Sequence, residues 1–292
     1  MLRTLILTIV ALITLSTLPA QAQTSHVQAQ LIANVSAITP GQPFLLGMLL
    51  TVDPGWHVYW QNPGDAGLPT QVSFTVPKGF SVGALQYPTP HRFDLPGDIV
   101  CFGYENSVLL FATVTPPPNL SADFSSSFGA TSSWLVCSEQ CIPGKGAAEL
   151  QLGVSPSPAP ANTPLFESWQ NQLPLEGAAA DAIAEVTTSG QVKNAGQQIS
   201  GDFTVQVSWK SETPIPSSVE FIPDQLDSYN IQDTRVQTDG HQSRITFRAD
   251  ALAGTKPAPA TLQAVIGFQT PAGQHRGIIV KMPIPGVASQ GH

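Results

Sequence analysis

The sequence has little positive charge, few cysteines and few methionines and histidines. Its 12 lysines and arginines face 20 aspartates and glutamates, which gives a formal net charge of −8. Nucleic acids and anionic lipid surfaces are bound by clustered positive charge, which displaces their counterions. The acidic balance therefore argues against both kinds of partner, and we expect no nucleic-acid contact.

Long hydrophobic runs are also scarce, and the clearest one lies at the N-terminus. An apolar run covers residues 5–18; Arg3 precedes it and the small-residue sequence AQA at 20–22 follows. This order is typical of a secretory signal peptide, whereas a membrane-spanning helix needs roughly 20 apolar residues. We therefore expect cleavage after Ala22, and a mature protein that is exported, soluble and without a membrane span.

The composition favours strands over helices. The chain has 27 prolines, 24 glycines and only 11% charged residues, which is typical of short strands joined by turns. The fold class we predict is all-β, with two immunoglobulin-like β-sandwich domains in series after the signal peptide. Alternating stretches that predict strands lie at 26–37, 70–76, 107–115, 202–209, 217–222, 242–249, 261–268 and 277–284.

A proline-rich segment separates the two expected domains. The sequence SPSPAPANTP begins at Ser155 and is typical of an extended, semi-rigid spacer. Apolar residues at helical spacing follow it, so we expect a short helix within 165–173. The predicted division is a first sandwich over 26–154, a linker with a helix over 155–177 and a second sandwich over 178–285.

Two of the 3 cysteines, Cys137 and Cys141, lie close together in the stretch SSWLVCSEQCIPGKG. Residues four apart on a strand are roughly 13 Å apart, whereas a disulfide needs Cα atoms within about 7 Å. If the two pair, the chain must turn back at residues 138–140. Closing so short a loop stabilises a fold by roughly 2 kcal/mol, against about 4.5 kcal/mol for a bridge spanning many tens of residues. So small a gain in stability favours a redox-active pair as the first interpretation, with a structural bridge second and a metal clip third. All three interpretations remain open at this point.

The second concentrated signal is the aromatic-rich stretch GWHVYW at residues 55–60. On a strand, alternate residues face opposite sides, so Trp56, Val58 and Trp60 are expected to face the core. His57 and Tyr59 then share the other face, where their polar tips make them candidates to border a site.

Four motifs resemble the N-terminal periplasmic domain of the thiol:disulfide interchange (DsbD) family, in particular its ScsB-like (suppressor of copper sensitivity) subgroup. In chain order they are PGWHVYWQNPGDAGLPT, YPTPHRF, FGYENSVLL and WLVCSEQCIPG. The resemblance covers roughly residues 26–154, and the second half is similar to the additional β-sandwich of ScsB-type proteins.

The resemblance implies a thiol:disulfide oxidoreductase of the protein-disulfide reductase type, without a cofactor or a metal. Cys137 and Cys141 would be the catalytic redox pair. Residues 99–104 would form a cap loop over the pair, so that Phe102 or Tyr104 shields the sulfurs and Cys101 lies near them. The family supplies electrons for disulfide isomerisation, cytochrome c biogenesis and copper tolerance in the periplasm.

The partners follow from the same resemblance and from a departure within it. The family takes electrons from a membrane-embedded domain and passes them to periplasmic thioredoxin-like proteins or disulfide isomerases. This sequence contains neither the membrane domain nor the thioredoxin domain of DsbD, so we expect a DsbD-like donor on a separate chain. The cysteine spacing is also narrower than in the classical DsbD pair. Cys101 is unexpected in a cap and would either form an alternative bridge or fill the core.

Two other functions remain open at this point. Cys137 and Cys141, with either Cys101 or His57, could bind Cu(I), which favours thiolates, although the 3 methionines and 6 histidines form no metal-binding tract. Alternatively, the protein could be a non-catalytic binding module with a structural disulfide. The second sandwich has no cysteine, so we expect it to act as a spacer or a docking surface.

Overall fold

The computed structural model describes residues 26–195, 198–252 and 259–284. The expected signal peptide, residues 1–22, and the expected last residue of the second sandwich, Pro285, lie outside them. Within these ranges, no helix is long and apolar enough to cross a membrane.

The chain before the spacer folds into two antiparallel sheets. The strands are β1 (Val27–Ala33), β2 (Phe44–Val52), β3 (His57–Gly64), β4 (Gln71–Thr75), β5 (Ser81–Val82), β6 (His91–Leu95), β7 (Ile99–Glu105), β8 (Ser107–Thr115), β9 (Ser125–Cys137) and β10 (Cys141–Gly153). One sheet has the strand order β1-β2-β8-β5, and the other has the order β10-β9-β3-β7-β6, with β4 also paired to β9.

The inner faces of these two sheets form one hydrophobic core, because alternate residues of each strand point inward. Leu46, Met48 and Leu50 of β2 are fully buried there, and Val58 and Trp60 of β3 pack against the same cluster. The inward facing of the aromatic-rich strand is thus confirmed.

The helix predicted from residues 165–173 is present as α1 (Thr163–Gln170). Phe166 of this helix is 1% exposed, and its ring meets Phe111 of β8 edge-on with centroids 6.1 Å apart. Together with Ile32 and Leu109 they form a separate apolar cluster. The helix therefore covers the outer face of the β1-β2-β8-β5 sheet.

The second half of the chain forms a second pair of antiparallel sheets, with strand orders β11-β12-β15-β14 and β13-β16-β17. Its core contains Phe203, Trp209, Phe221 and Ile245. The all-β prediction is confirmed, and the alternating stretches fall on strands. The elements are α2 (Ala178–Asp181), β11 (Ala184–Ala195), β12 (Gln198–Trp209), β13 (Ser218–Pro223), β14 (Tyr229–Asp239), β15 (Gln242–Ala251), β16 (Ala260–Gln269) and β17 (His275–Ile284).

The two sandwiches are in direct contact through the segment before β6 and the strand β17. The linker residue Leu175 also binds β17: its N–H donates to the Gly277 carbonyl and its carbonyl accepts from the Ile279 N–H, each at 2.8 Å. A Cβ at Gly277 would lie 2.7 Å from Oγ1 of Thr89. Glycine at this position therefore allows β17 to approach the first sandwich closely.

A strand glycine also permits the contact between β3 and β7. Gly103 pairs with Tyr59, and a Cβ at residue 103 would lie 2.0 Å from the carbonyl oxygen of Val58, a backbone atom. We predict that Gly103→Ala lowers the free energy of unfolding by about 2 kcal/mol or more, measured by denaturant titration. Gly129→Ala is the matched control, because its Cβ would meet only Thr75, at 3.6 Å. Equal losses in the two variants would contradict this account.

Candidate redox site

The hairpin of β9 and β10 brings Cys137 and Cys141 together. Cys137 ends β9, Cys141 begins β10, and the two are register partners. Between them the chain turns back, with the Ser138 N–H donating to the Gln140 carbonyl at 3.1 Å. The two Cα atoms lie 4.2 Å apart and the sulfurs form a disulfide. The turn that pairing requires is therefore present at the hairpin tip.

The two cysteines differ in their exposure. Cys137 is 1% exposed and belongs to a small apolar cluster with Tyr59 and Cys101. Cys141 is exposed at the surface. A protein that docks at the hairpin tip can thus reach Cys141, whereas Cys137 is covered.

Strand β3 lies beside the disulfide. His57 is the register partner of Cys137, and both side chains are on the outer face of the sheet, opposite the core. The hydroxyl oxygen of Tyr59 lies 3.9 Å from Sγ of Cys141. The structure therefore places His57 and Tyr59, both expected to border the site, next to the cysteine pair.

The third cysteine, Cys101, is fully buried in β7 on the same outer face. Its thiol donates to the carbonyl of Ala66 at 3.4 Å. Burial raises the pKa of this thiol, although the hydrogen bond to Ala66 opposes the rise. Burial, together with the neighbouring Cys101, raises the pKa of Tyr59 to about 12. Both groups are therefore neutral near pH 7, and Cys101 is a weak nucleophile there.

The expected cap, residues 99–104, has a different structure from the one implied by the resemblance. It is not a loop over the disulfide but strand β7, separated from β9 by β3 in the same sheet. Phe102 and Tyr104 point into the sandwich core, where the Tyr104 hydroxyl donates to the Pro88 carbonyl at 2.7 Å. They do not cover the sulfurs, because alternate residues of a strand face opposite sides and Cys101 occupies the outer one.

The sheet order also bears on an alternative bridge from Cys101. Two strand spacings separate β7 from β9, so the Cα atoms of Cys101 and Cys137 are at least about 10 Å apart. A disulfide requires Cα atoms within about 7 Å. A bridge from Cys101 to Cys137 would therefore require the sheet to open, whereas a bridge from Cys101 to Cys141 stays a prediction.

The apolar cover of the site comes from four side chains, of which only Ile99 belongs to the expected cap. Strand β6 pairs with β7 across a turn at residues 96–98. Phe93 of β6 stacks on the ring of His57, with centroids 4.7 Å apart. A hairpin signal was present, because alternating apolar residues flank a Pro-Gly-Asp turn. The covering side chains packed against the cluster are Phe93, Leu95, Ile99 and Leu135.

The fold and the hairpin disulfide define an immunoglobulin-like β-sandwich domain with one accessible and one covered cysteine. Residues 23–152 match the family model described as thiol:disulfide interchange protein DsbD, N-terminal. This part of the chain is therefore a domain of that family, as the resemblance of its motifs predicted. No curated protein matches the chain.

Solved structures give a similar result for the fold. The chain is similar to the N-terminal periplasmic domain of ScsB from Proteus mirabilis, with 16% identity and a TM-score of 0.57 over 89% of this chain and 92% of that chain. At this identity the likeness shows the fold alone, and its coverage includes both sandwiches. A protein of unknown function from Porphyromonas gingivalis W83 matches 89% of this chain and 100% of its own, at 10% identity. Its TM-score of 0.25 is too low to indicate a shared fold.

The buried imidazole beside the disulfide predicts a pH effect on stability. His57 is 5% exposed and its Nε2 has no hydrogen-bond partner within the described residues. Burial lowers the pKa of His57, and Glu105 opposes this only in part. Below about pH 6.5 the imidazole in the unfolded chain therefore binds a proton that the folded protein excludes. The folded protein becomes less stable as the pH is lowered through this range.

We predict that His57→Phe, which keeps a ring against Phe93, loses less stability than the wild type as the pH falls from about 7.5 to about 5.5. Denaturant titrations of both proteins at the two pH values measure the difference. The same loss in both proteins would show that His57 does not contribute.

Proposed function

We propose that this protein is a periplasmic thiol:disulfide oxidoreductase that carries electrons through Cys137 and Cys141. The observation that supports this most is the unequal exposure of the two bonded cysteines at a hairpin tip. An exposed sulfur can form a mixed disulfide with a partner, and a covered sulfur beside it can resolve that intermediate. The family of the first sandwich supports the same class of chemistry.

In the proposed cycle, the thiolate of Cys141 in the reduced protein attacks the disulfide of a partner. One partner sulfur leaves as a thiolate while a bond forms between Cys141 and the other. Cys137 then attacks Sγ of Cys141, which releases the partner as a dithiol and restores the Cys137–Cys141 disulfide. The pair loses two electrons and the partner gains them.

The electron donor we propose is a DsbD-like protein embedded in the membrane, on a separate chain, which would reduce the disulfide by the reverse steps. The acceptors would be periplasmic thioredoxin-like proteins or disulfide isomerases. An exposed Cys141 suits partners of both kinds. A thiolate of the donor must reach the Cys141 sulfur in the closed disulfide, and the Cys141 thiolate must later reach the disulfide of the acceptor.

Activation of the attacking thiol would depend on the docked partner. Glu139 is exposed in the turn between the two cysteines, and a carboxylate there disfavours a thiolate nearby through like-charge repulsion. Lys145 is the nearest lysine or arginine along the chain. We therefore propose that the partner surface, rather than this chain, supplies the positive potential that favours the thiolate.

The reduction potential distinguishes this proposal from a structural disulfide. Structural bridges lie below about −300 mV, whereas exchange-active pairs lie above that value. We predict that the mature protein equilibrates with a glutathione or dithiothreitol buffer at a potential above about −300 mV, measured by thiol alkylation and mass spectrometry. A cysteine pair that stays oxidised in buffers with potentials well below about −300 mV would rule out the carrier function. Protection of the reduced thiols by Cu(I) would support a copper-binding role instead.

The unequal exposure predicts which single-cysteine variant traps a partner. Cys137→Ser leaves the exposed Cys141 without a resolving thiol, so it should accumulate a mixed disulfide with a thioredoxin-like protein. Cys141→Ser leaves only the covered sulfur and should trap at least about tenfold less. Non-reducing gels measure the adduct, and Cys101→Ser, which keeps the pair, is the control that should trap none. Equal trapping by the first two variants would contradict the assigned roles.

A further inference from the structure

Three side chains with metal-ligating atoms meet where the two sandwiches touch. They are His91 on β6, Glu220 on β13 and His275 at the start of β17, and one ligand atom of each lies within 4.8 Å of the other two. We propose that these residues bind a divalent transition-metal ion, with Zn²⁺ as the simplest candidate, and that the ion clamps the two sandwiches together. This site is separate from the cysteine pair and does not depend on its function.

The donor set suits such an ion. Two imidazole nitrogens and one carboxylate oxygen are common Zn²⁺ ligands, with metal–ligand distances of about 2.0–2.2 Å. In a tetrahedral site these distances separate the ligand atoms by about 3.4 Å. Ligand atoms that lie up to 4.8 Å apart need to close by up to about 1.4 Å to reach this separation. The two stacked imidazole rings must also turn so that both ring planes meet at the ion, and a water molecule can fill the fourth position.

Neighbouring backbone groups orient two of the ligands. Nε2 of His275 lies 2.9 Å from the carbonyl oxygen of Pro90. Since a carbonyl only accepts, this nitrogen carries the proton and Nδ1 has the free lone pair. A ligand histidine commonly donates its other N–H in this way, which fixes the ring for the metal. Oε2 of Glu220 accepts the backbone N–H of Arg92 at 3.3 Å.

The two imidazole rings pack against each other as neutral groups. The rings of His91 and His275 stack with centroids 3.9 Å apart, an arrangement that two positive charges would oppose. Burial lowers the pKa of His91, and burial together with His91 lowers that of His275 to about 4. Both rings are thus neutral at pH 7 and need not release a proton to bind. Burial raises the pKa of Glu220, although the Arg92 backbone opposes the rise; a bound cation would favour the carboxylate.

The fold leaves space for the ligands and a route to solvent. Glu220 pairs with Gly267 of β16. A Cβ at that glycine would lie 3.5 Å from Cε1 of His275 and 3.6 Å from Oε2 of Glu220, so glycine keeps the space beside both ligands open. A cavity of about 510 Å³ adjoins the cluster, with His91 and His275 in its wall.

The test uses the untagged mature protein with its disulfide closed, freed of metal and titrated with Zn²⁺ by calorimetry. We expect one ion per chain, and an affinity that falls at least about tenfold in Glu220→Gln and in His275→Gln. His26→Gln is the matched control, because His26 lies 2.9 Å from a carboxylate of Asp53 but has no third ligand among the residues that the structure describes. The affinity of this variant should equal that of the wild type. Circular dichroism checks that each variant is folded.

Unchanged affinity in both ligand variants, or an equal fall in the His26 control, would overturn the proposal. If the variants do not fold, the wild type still decides. A tetrahedral Co²⁺ spectrum without sulfur ligation, together with a higher Tm in Zn²⁺, would support the site. No binding, or a thiolate-to-cobalt band, would refute it. Because the disulfide stays closed throughout, failure here would leave the proposed thiol exchange untouched.

Discussion

The register of the β9–β10 hairpin is the constraint on which the redox site depends. Cys137 and Cys141 can bond only because they are direct partners across the two strands. A slip of one residue would send every side chain to the opposite face. Trp134 helps to prevent this slip: its ring covers its partner Gly144, where a Cβ would lie 2.3 Å from the indole nitrogen. A core contact thus determines where two sulfurs meet at the surface.

Much of this arrangement could be predicted from local sequence patterns. Alternation of side chains identified the inward face of β3 and eight strands, and helical spacing identified α1. The eight strands are β1, β4, β8, β12, β13, β15, β16 and β17. The cap loop expected at residues 99–104 came from the family resemblance, whereas the structure has strand β7 there. Local patterns do not determine the order of strands in a sheet, and the place of β7 beside β3 depends on contacts with residues distant in the sequence. The cluster of His91, Glu220 and His275 could not be predicted for the same reason.

Strand β6 connects the two parts of the molecule. It carries Phe93, which packs over His57 beside the disulfide, and His91, which stacks on His275 of the second sandwich. The second sandwich therefore contacts the same short strand that covers the cysteines, although it contributes no sulfur. The packing of the two sandwiches and the cover of the site therefore share this strand.

The place of β6 at the end of its sheet also matters for solubility at high concentration. An edge strand normally presents free backbone groups on which a strand of another molecule can add, and this is a common start of aggregation. Here the outward N–H of Arg92 and the carbonyl of Pro90 are held by Glu220 and His275. The second sandwich thus blocks the growth of the sheet from one molecule into the next.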